Sequence, residues 1–287
     1  MEVLTRIALL RAALAERRKA GARIAFVPTL GSLHAGHLAL VDMAHAHADT
    51  VVMSIFVNPL QFGPNEDFAR YPRDPIGDVA KAASRAVDIV FTPSLEELYP
   101  PDAPTWPVRV VPLVDPARWD AAARPGHFEG VLTVVAKLFH IVQPDIAVFG
   151  QKDIQQVTMV RAMVDALDMP VELLVAPTTR ERDGLALSSR NAYLEPSDRQ
   201  AAVALSRALA QINRAWAAGT HDTESLEARG RAVLAAVPGV AVEYLAVVEP
   251  ERLEPVARAE AGTVVMVAAR LGKTRLIDNI ILGKDHL

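Results

Sequence analysis

The 287-residue chain contains no cysteine, which excludes disulfides and thiolate metal sites outright and fits a reducing compartment. It also lacks an excess of positive charge. Thirty Lys and Arg stand against 34 Asp and Glu, a formal net charge of -4, so the broad basic surface that holds a phosphate backbone is missing, although a local basic pocket is not excluded. No uninterrupted apolar run approaches the roughly 18 to 20 residues of a membrane span. The N-terminal "MEVLTRIALLRAALAERRKAG" puts its basic cluster after the apolar part, the wrong order for a signal peptide. There is no internal repeat and no low-complexity tract beyond Ala-rich helical stretches. These absences predict a soluble, cytoplasmic protein that binds neither nucleic acid nor membrane.

What is present is a large apolar fraction, 51%, enough for a substantial core and, by size, two domains. Residues 3–19 carry apolar positions at helical spacing, with Gly21 as a stop. Short apolar runs follow at "RIAFVP", at 50–57, 87–93, 145–150 and 170–177, with helical patterns between them near 35–48, 75–86, 128–142 and 153–167. Such alternation predicts a doubly wound, Rossmann-like parallel sheet covered on both faces, with ligands beyond the carboxyl ends of its strands. Beyond Pro177 the pattern changes. Long helices near 196–217 and 222–236 precede strand-like runs at 240–248, 263–271 and 274–282, the last two joined by a tight "GK" turn. The expected organisation is a nucleotide-binding domain over 1–177 and a smaller α+β domain over 178–287. The Pro-rich piece 99–112 reads as an ordered surface crossing.

Two common phosphate loops can be set aside. "GSLHAG" lacks the three-glycine spacing of the dinucleotide fingerprint, and "LGKT" lacks the preceding glycine of a Walker loop. "PTLGSLHAGH", 28–37, sits instead where a strand ends and a helix begins. Gly31 permits a tight turn and Gly36 a close approach, while the helix start offers N–H groups and a positive dipole end to an anion. His34 and His37, three apart, project to one side and suit contact with a polyphosphate. Read alone, they serve equally well as capping or surface residues. Zinc is disfavoured because no third ligand stands nearby.

Three further clusters carry polar chemistry. In "FGQKDIQQV", Lys152 falls in the first turn of a helix, against the dipole, a local violation expected at functional sites. Lys152 suits phosphate oxygens, Asp153 a cap or a ribose hydroxyl, and Gln156 lies one turn on; the bland alternative is a capped helix with a solvated lysine. In "DGLALSSRN", small hydroxyls and Arg190 suit phosphate. In the polar loop 57–74, Asn58 and Gln61 suit a small polar substrate through their amides.

Together, "PTLGSLHAGH", "IFVNPLQFGPNEDFARYPRD", "RPGHFEGVLTVVAKLFHIVQPDIAVFGQKDIQQ" and "RERDGLALSSRNAYL", in this order, resemble the pantoate:beta-alanine ligase family of the HxGH nucleotidylyltransferase superfamily. HxGH identifies only the superfamily; the "NPLQFGPNEDF" and "GQKDIQQ" segments supply the specificity. The resemblance implies a two-step reaction in which pantoate attacks the ATP α-phosphate and beta-alanine then displaces AMP, with Mg2+ bridging ATP phosphates and no resident metal site. It implies a nucleotide site of Leu30, Gly31, Ser32, Leu33, His34, Ala35, Gly36 and His37, completed by Gly150, Gln151, Lys152 and Asp153, and by Thr179, Leu187, Ser188, Ser189 and Arg190. His37 is the implied proton donor to the leaving group, with His34 near the phosphates. Lys152 would stabilise the α-phosphorus, and Ser188, Ser189 and Arg190 would act as a mobile loop. Gln61 and Gln156, with Asn58, would hold pantoate, and a homodimer is implied. Leu30, Ser32 and Thr179 depart from the family's usual residues without removing a required group. The alternatives are a superfamily nucleotidyltransferase that stops after AMP transfer and a catalytically idle nucleotide-binding protein.

Overall fold

A computed structural model of the chain describes residues 1–64, 66–101, 108–113 and 118–285; the stretch 102–107 of the expected surface crossing lies outside them. The chain divides into two compact units. The first is Met1–Gly150 with Met159–Ala176, and the second is Gln151–Thr158 with Pro177–Leu287.

Among the described residues the first unit holds six strands: β1 (Glu2–Leu4), β2 (Ile24–Thr29), β3 (Thr50–Ile55), β4 (Ile89–Phe91), β5 (Ile146–Gly150) and β6 (Glu172–Ala176). They form one sheet in the order β1-β4-β3-β2-β5-β6, and every pairing is parallel. The chain connects them through α1 (Ile7–Lys19), α2 (Ala35–His45), α3 (Pro75–Ser84), α4 (Leu95–Leu98), α5 (Trp119–Ala123), α6 (His127–Val142) and α7 (Ile154–Ala166). The expected strands read as continuous apolar runs because a parallel sheet is covered on both faces; β2 and β3 are buried along nearly their whole length. One expectation needs correction. Val3 and Leu4, expected within the helix, belong instead to an edge strand, Glu2 to Leu4 pairing with Ile89 to Phe91, while Arg6, in an extended conformation, is the cap from which α1 begins.

The sheet order reverses between β2 and β5. From β2 the chain proceeds outward to β3 and β4, whereas β5 leads to β6 on the opposite side. Pairing of β2 with β5 covers only Ala25↔Ile146 and Phe26↔Ala147, so the strands part before Pro28. This is the switch point, where doubly wound sheets open a crevice for ligands. Leu30–His37 leave the end of β2, Asn58 and Gln61 follow β3, and Gly150 closes β5.

The second unit contains α8 (Pro196–Ala217), α9 (Thr223–Ala235) and the antiparallel strands β7 (Val240–Val248), β8 (Val264–Leu271) and β9 (Thr274–Ile281), in the order β7-β8-β9. β8 and β9 meet at a two-residue turn, Leu271 pairing with Thr274, as the "GK" signal predicts. The apolar face of α8 (Ala202, Leu205, Leu209, Ile212) packs into one core with Leu245, Val265 and Ile280. Among the described residues no helix is long and apolar enough to cross a membrane.

Candidate active site

The loop after β2 is built from two left-handed residues in succession, Gly31 at φ +85° and Ser32 at φ +52°. Only glycine suits the first, because a Cβ there would lie 2.9 Å from the Asp78 carboxylate. In the turn they form, the successive N–H groups of Ser32 and Leu33 converge on one point, the arrangement of an anion-binding concavity. In this chain Asp78 occupies it. Its carboxylate accepts from Ser32 N–H at 2.8 Å and from Leu33 N–H at 2.7 Å, and its side chain is buried. These two N–H groups, expected at a nucleotide, are engaged within the protein and fix the approach to α2.

The two histidines form the helix cap. His34 is the N-cap residue; its Nδ1 accepts from Gly36 N–H at 3.1 Å, and Nδ1 of His37 accepts from His34 N–H at 3.3 Å. The rings lie 4.1 Å apart between centroids. Histidine is not among the preferred N-caps, so the pair is a choice that helix formation alone does not require. Because each Nδ1 is an acceptor, a neutral ring in either position keeps its proton on Nε2. The pair is thereby oriented as hydrogen-bond donors through Nε2.

Asn58 and Gln61 are both buried. Asn58 Nδ2 donates to Gln61 Oε1 at 3.1 Å and to the Gly130 carbonyl at 3.0 Å, and Tyr99 Oη donates to Asn58 Oδ1 at 3.1 Å. Burial pushes the Tyr99 phenol up to about 12, the charge of Arg109 pulling weakly the other way, so it stays a neutral donor. The Gln61 carbonyl accepts from His127 Nδ1 at 2.8 Å and from Arg124 at 3.3 Å. Arg124 also donates to His127 Nε2 at 2.8 Å, which assigns the His127 proton to Nδ1. Arg124 grips Glu66 with its Nε and Nη2. Burial alone would raise Glu66, but the hydrogen bond and charge of this guanidinium more than offset it and leave the carboxyl below its ordinary value. Behind the cluster, Gly130 lies so close to the loop that a Cβ would overlap the Leu60 carbonyl.

In the second unit, Gln151–Asp153 form a 3-10 turn leading into α7. The Lys152 side chain is only 19% exposed, unlike the solvated lysine of the bland alternative, and Gln156 is half-buried. Asn279 donates to the carbonyls of Gln151 and Lys152 at 3.0 and 2.8 Å. Beside it, Arg180 holds the buried Asp278 through both guanidinium ends, at 2.6 and 2.9 Å; burial raises the Asp278 carboxyl, and Arg180 and Lys152 oppose the rise. Leu187 N–H donates to the Thr179 carbonyl at 2.9 Å, bringing these two expected residues together. Ser188 caps the 3-10 turn Ser189–Tyr193 by accepting from Arg190 N–H at 3.3 Å. Arg199 bridges Glu181 and Asp183 at the base of this loop.

The expected residues therefore form two constellations, one in each unit. In the first are Leu30–His37, Asn58, Gln61 and Gly150. In the second are Gln151, Lys152, Asp153, Gln156, Thr179 and Leu187–Arg190. Sequence reasoning missed Asp78, Tyr99, Arg124, His127, Gly130 and Asn279, which fix these residues from remote positions. Among the described residues no group of three or more His, Asp or Glu side chains is placed to hold a metal ion.

A family model described as pantoate-beta-alanine ligase matches residues 2–281. The pantothenate synthetase of Koribacter versatilis is 48% identical over 98% of this chain and 96% of its own length. The crystal structure of pantothenate synthetase from Thermus thermophilus superposes with a TM-score of 0.92 at 47% identity, covering 98% of this chain and 99% of that one. That of the pantoate-beta-alanine ligase from Francisella tularensis, complexed with beta-gamma ATP and beta-alanine, gives 0.79 at 32% identity over 98% and 97%. With matches of this extent, the chain belongs to the pantoate-beta-alanine ligase family.

Proposed function

We propose that the chain ligates pantoate to beta-alanine at the expense of ATP, through a pantoyl adenylate. A pantoate carboxylate oxygen bonds to the α-phosphorus as the bond to the β-phosphate bridging oxygen breaks, releasing pyrophosphate. The beta-alanine nitrogen then bonds to the acyl carbon, the carbon–oxygen bond to AMP breaks, and the amine gives up a proton. The observation that carries this reading is the reciprocal cap of His34 and His37 at the sheet's switch point. It presents two Nε2 donors where negative charge develops on a departing pyrophosphate.

In this reading the 30–37 segment, Gly150–Asp153, Thr179 and Leu187–Arg190 serve the nucleotide. Lys152 offsets charge at the α-phosphorus. Asn58, Gln61 and Gln156 hold pantoate, and Gln61 also meets beta-alanine. His37 serves the leaving group. Mg2+ enters with ATP, hard phosphate oxygens being its natural ligands. A homodimer in the cytoplasm completes the proposal, and sedimentation of the purified chain at twice the monomer mass would support the first part.

Purified protein with Mg2+, pantoate and labelled pyrophosphate should incorporate label into ATP only when pantoate is present. Addition of beta-alanine should then yield the amide and AMP. No pantoate-dependent exchange would overturn the proposal, and exchange without amide formation would indicate a transferase that stops at the adenylate.

A further inference from the structure

We infer that Asn279 is a positioning residue for adenylate formation, acting through Lys152, which it does by bracketing the lysine's backbone with its side-chain amide. The inference rests on the placement of Lys152 at the phosphates proposed above.

Lys152 is a demanding choice for a phosphate ligand. Its four-carbon stem carries substantial rotamer freedom, its ammonium is a point charge without the planar fork of arginine, and its place in a first helical turn is opposed by the dipole. Misplacement of a catalytic group by a fraction of an ångström to an ångström costs large factors in rate. Something must therefore fix the backbone from which the lysine extends. The 3-10 turn Gln151–Asp153 has poorer internal hydrogen-bond geometry than an α-helical turn and gains its rigidity from outside.

That support comes from β9. Asn279 is only 1% exposed, and its Nδ2 donates to the carbonyl on each side of the Lys152 Cα, at 3.0 Å to Gln151 and 2.8 Å to Lys152. The two amide hydrogens are thus both committed to one peptide stretch. Its Oδ1 in turn receives Gln151 Nε2 at 3.4 Å, and the same Nε2 donates to Asp285 at 2.5 Å. Asp285 also accepts from Ile281 N–H at 2.7 Å, so the turn is tied to β9 at its side chain as well as its backbone.

Asn279 is itself held. Arg180 donates to the Asn279 carbonyl at 3.3 Å while forking onto Asp278, and Asp278 Oδ1 accepts from Asn279 N–H at 2.8 Å. A buried bidentate pair of this sort has little freedom to shift. The chain of restraint runs from Arg180 and Asp278, through Asn279, to the carbonyls that flank the lysine. None of these partners needs to touch substrate.

A double-mutant cycle with Lys152 tests the inference. Asn279→Ala should lower the rate of pantoate-dependent pyrophosphate exchange at saturating ATP by roughly 10- to 100-fold, with KM for ATP changed far less; the unfolding midpoint should fall, because two buried carbonyls lose their donor, with the variant still folded at the assay temperature. In a Lys152→Ala background, already slow, the same substitution should cost less than about twofold. Hydrogen exchange of the peptide spanning 151–156 should be faster in Asn279→Ala. Asn279→Leu, which nearly keeps the volume and removes both donors without adding a charge, should repeat these effects and serves if the alanine variant does not fold. An equal loss in both backgrounds, or an unchanged rate in a folded variant, would overturn the inference while leaving the ligase reading intact. A wild-type chain without pantoate-dependent exchange would overturn that reading, and the inference with it.

Discussion

Asp78 stands 45 positions beyond Leu33 in the chain, yet its carboxylate holds the Leu33 N–H at 2.7 Å and the neighbouring Ser32 N–H at 2.8 Å. A concavity of backbone N–H groups at the end of β2 is thereby filled by the protein's own anion, and the helix start that follows is fixed before any nucleotide arrives. Such preorganisation lowers the ordering cost of binding.

Asp78→Asn should expose the consequence. The amide keeps one acceptor but turns an NH2 toward the second backbone N–H, leaving a buried donor unsatisfied, a loss of about 1–3 kcal/mol. Calorimetry should show a lowered unfolding temperature, and pyrophosphate exchange should fall as the loop loosens. A variant with both properties unchanged would refute the anchoring role.

His34 combines a cap with a proposed contact to phosphate, and substitution separates the two. Asparagine is a preferred N-cap and alanine is not, the difference being about 1 kcal/mol. His34→Asn should therefore match the wild type in denaturant midpoint while His34→Ala falls below it. Both should lose exchange activity to a similar degree, because neither carries an imidazole Nε2. Recovery of activity in the asparagine variant would reduce His34 to a capping residue. His37→Ala should lose more activity than either and remain folded.

The sheet, its helices and the terminal hairpin were legible because each rests on local pattern: apolar runs stopped by Pro28 or Gly150, helical spacing, and a two-residue "GK" turn. β1 was not. Three residues, two of them exposed, carry no periodicity, and only pairing with β4, far along the chain, makes them a strand. The candidate site divides on the same line. His34, His37, Lys152 and Arg190 stand in contiguous motifs at predicted element junctions. Asp78, Tyr99, Gly130 and Asn279 act through contacts 41 to 128 positions away, and an isolated Asp or Gly in a helix offers no signal of its partner.

Gly130 shows what such a residue contributes. It stands on α6 against the loop that carries Asn58 and Gln61, and an added Cβ would overlap the Leu60 carbonyl and come within 2.6 Å of the Gln61 Cα. Gly130→Ala should push this loop away and strain its hydrogen bonds, at about 1–3 kcal/mol of stability. The apparent KM for pantoate should rise much more than that for ATP, because the shift falls at Gln61. An equal rise in both would point to general loosening instead.

The loop bearing Ser188–Arg190 is tied at its base by Arg199, which meets Asp183 at 2.8 Å and Glu181 at 2.8 Å. The hydrogen bond from Arg199 is the main reason that the Asp183 carboxyl lies below its ordinary value. A carboxylate depressed on folding stabilises the native state above its unfolded pKa of about 3.9 and loses that contribution as pH falls through the folded value. With Asp183 43% exposed, solvent screening limits the contribution to about 0.5 kcal/mol. Asp183→Asn keeps a carbonyl acceptor for Leu185 N–H while removing the charge. Its unfolding free energy should fall short of the wild type by that amount near neutral pH. The gap should close as the pH drops below the carboxylate range, because protonated Asp183 then resembles the amide. A deficit that persists unchanged into acid would mean that the substitution acts through packing, and that the ion pair at the loop's base contributes nothing.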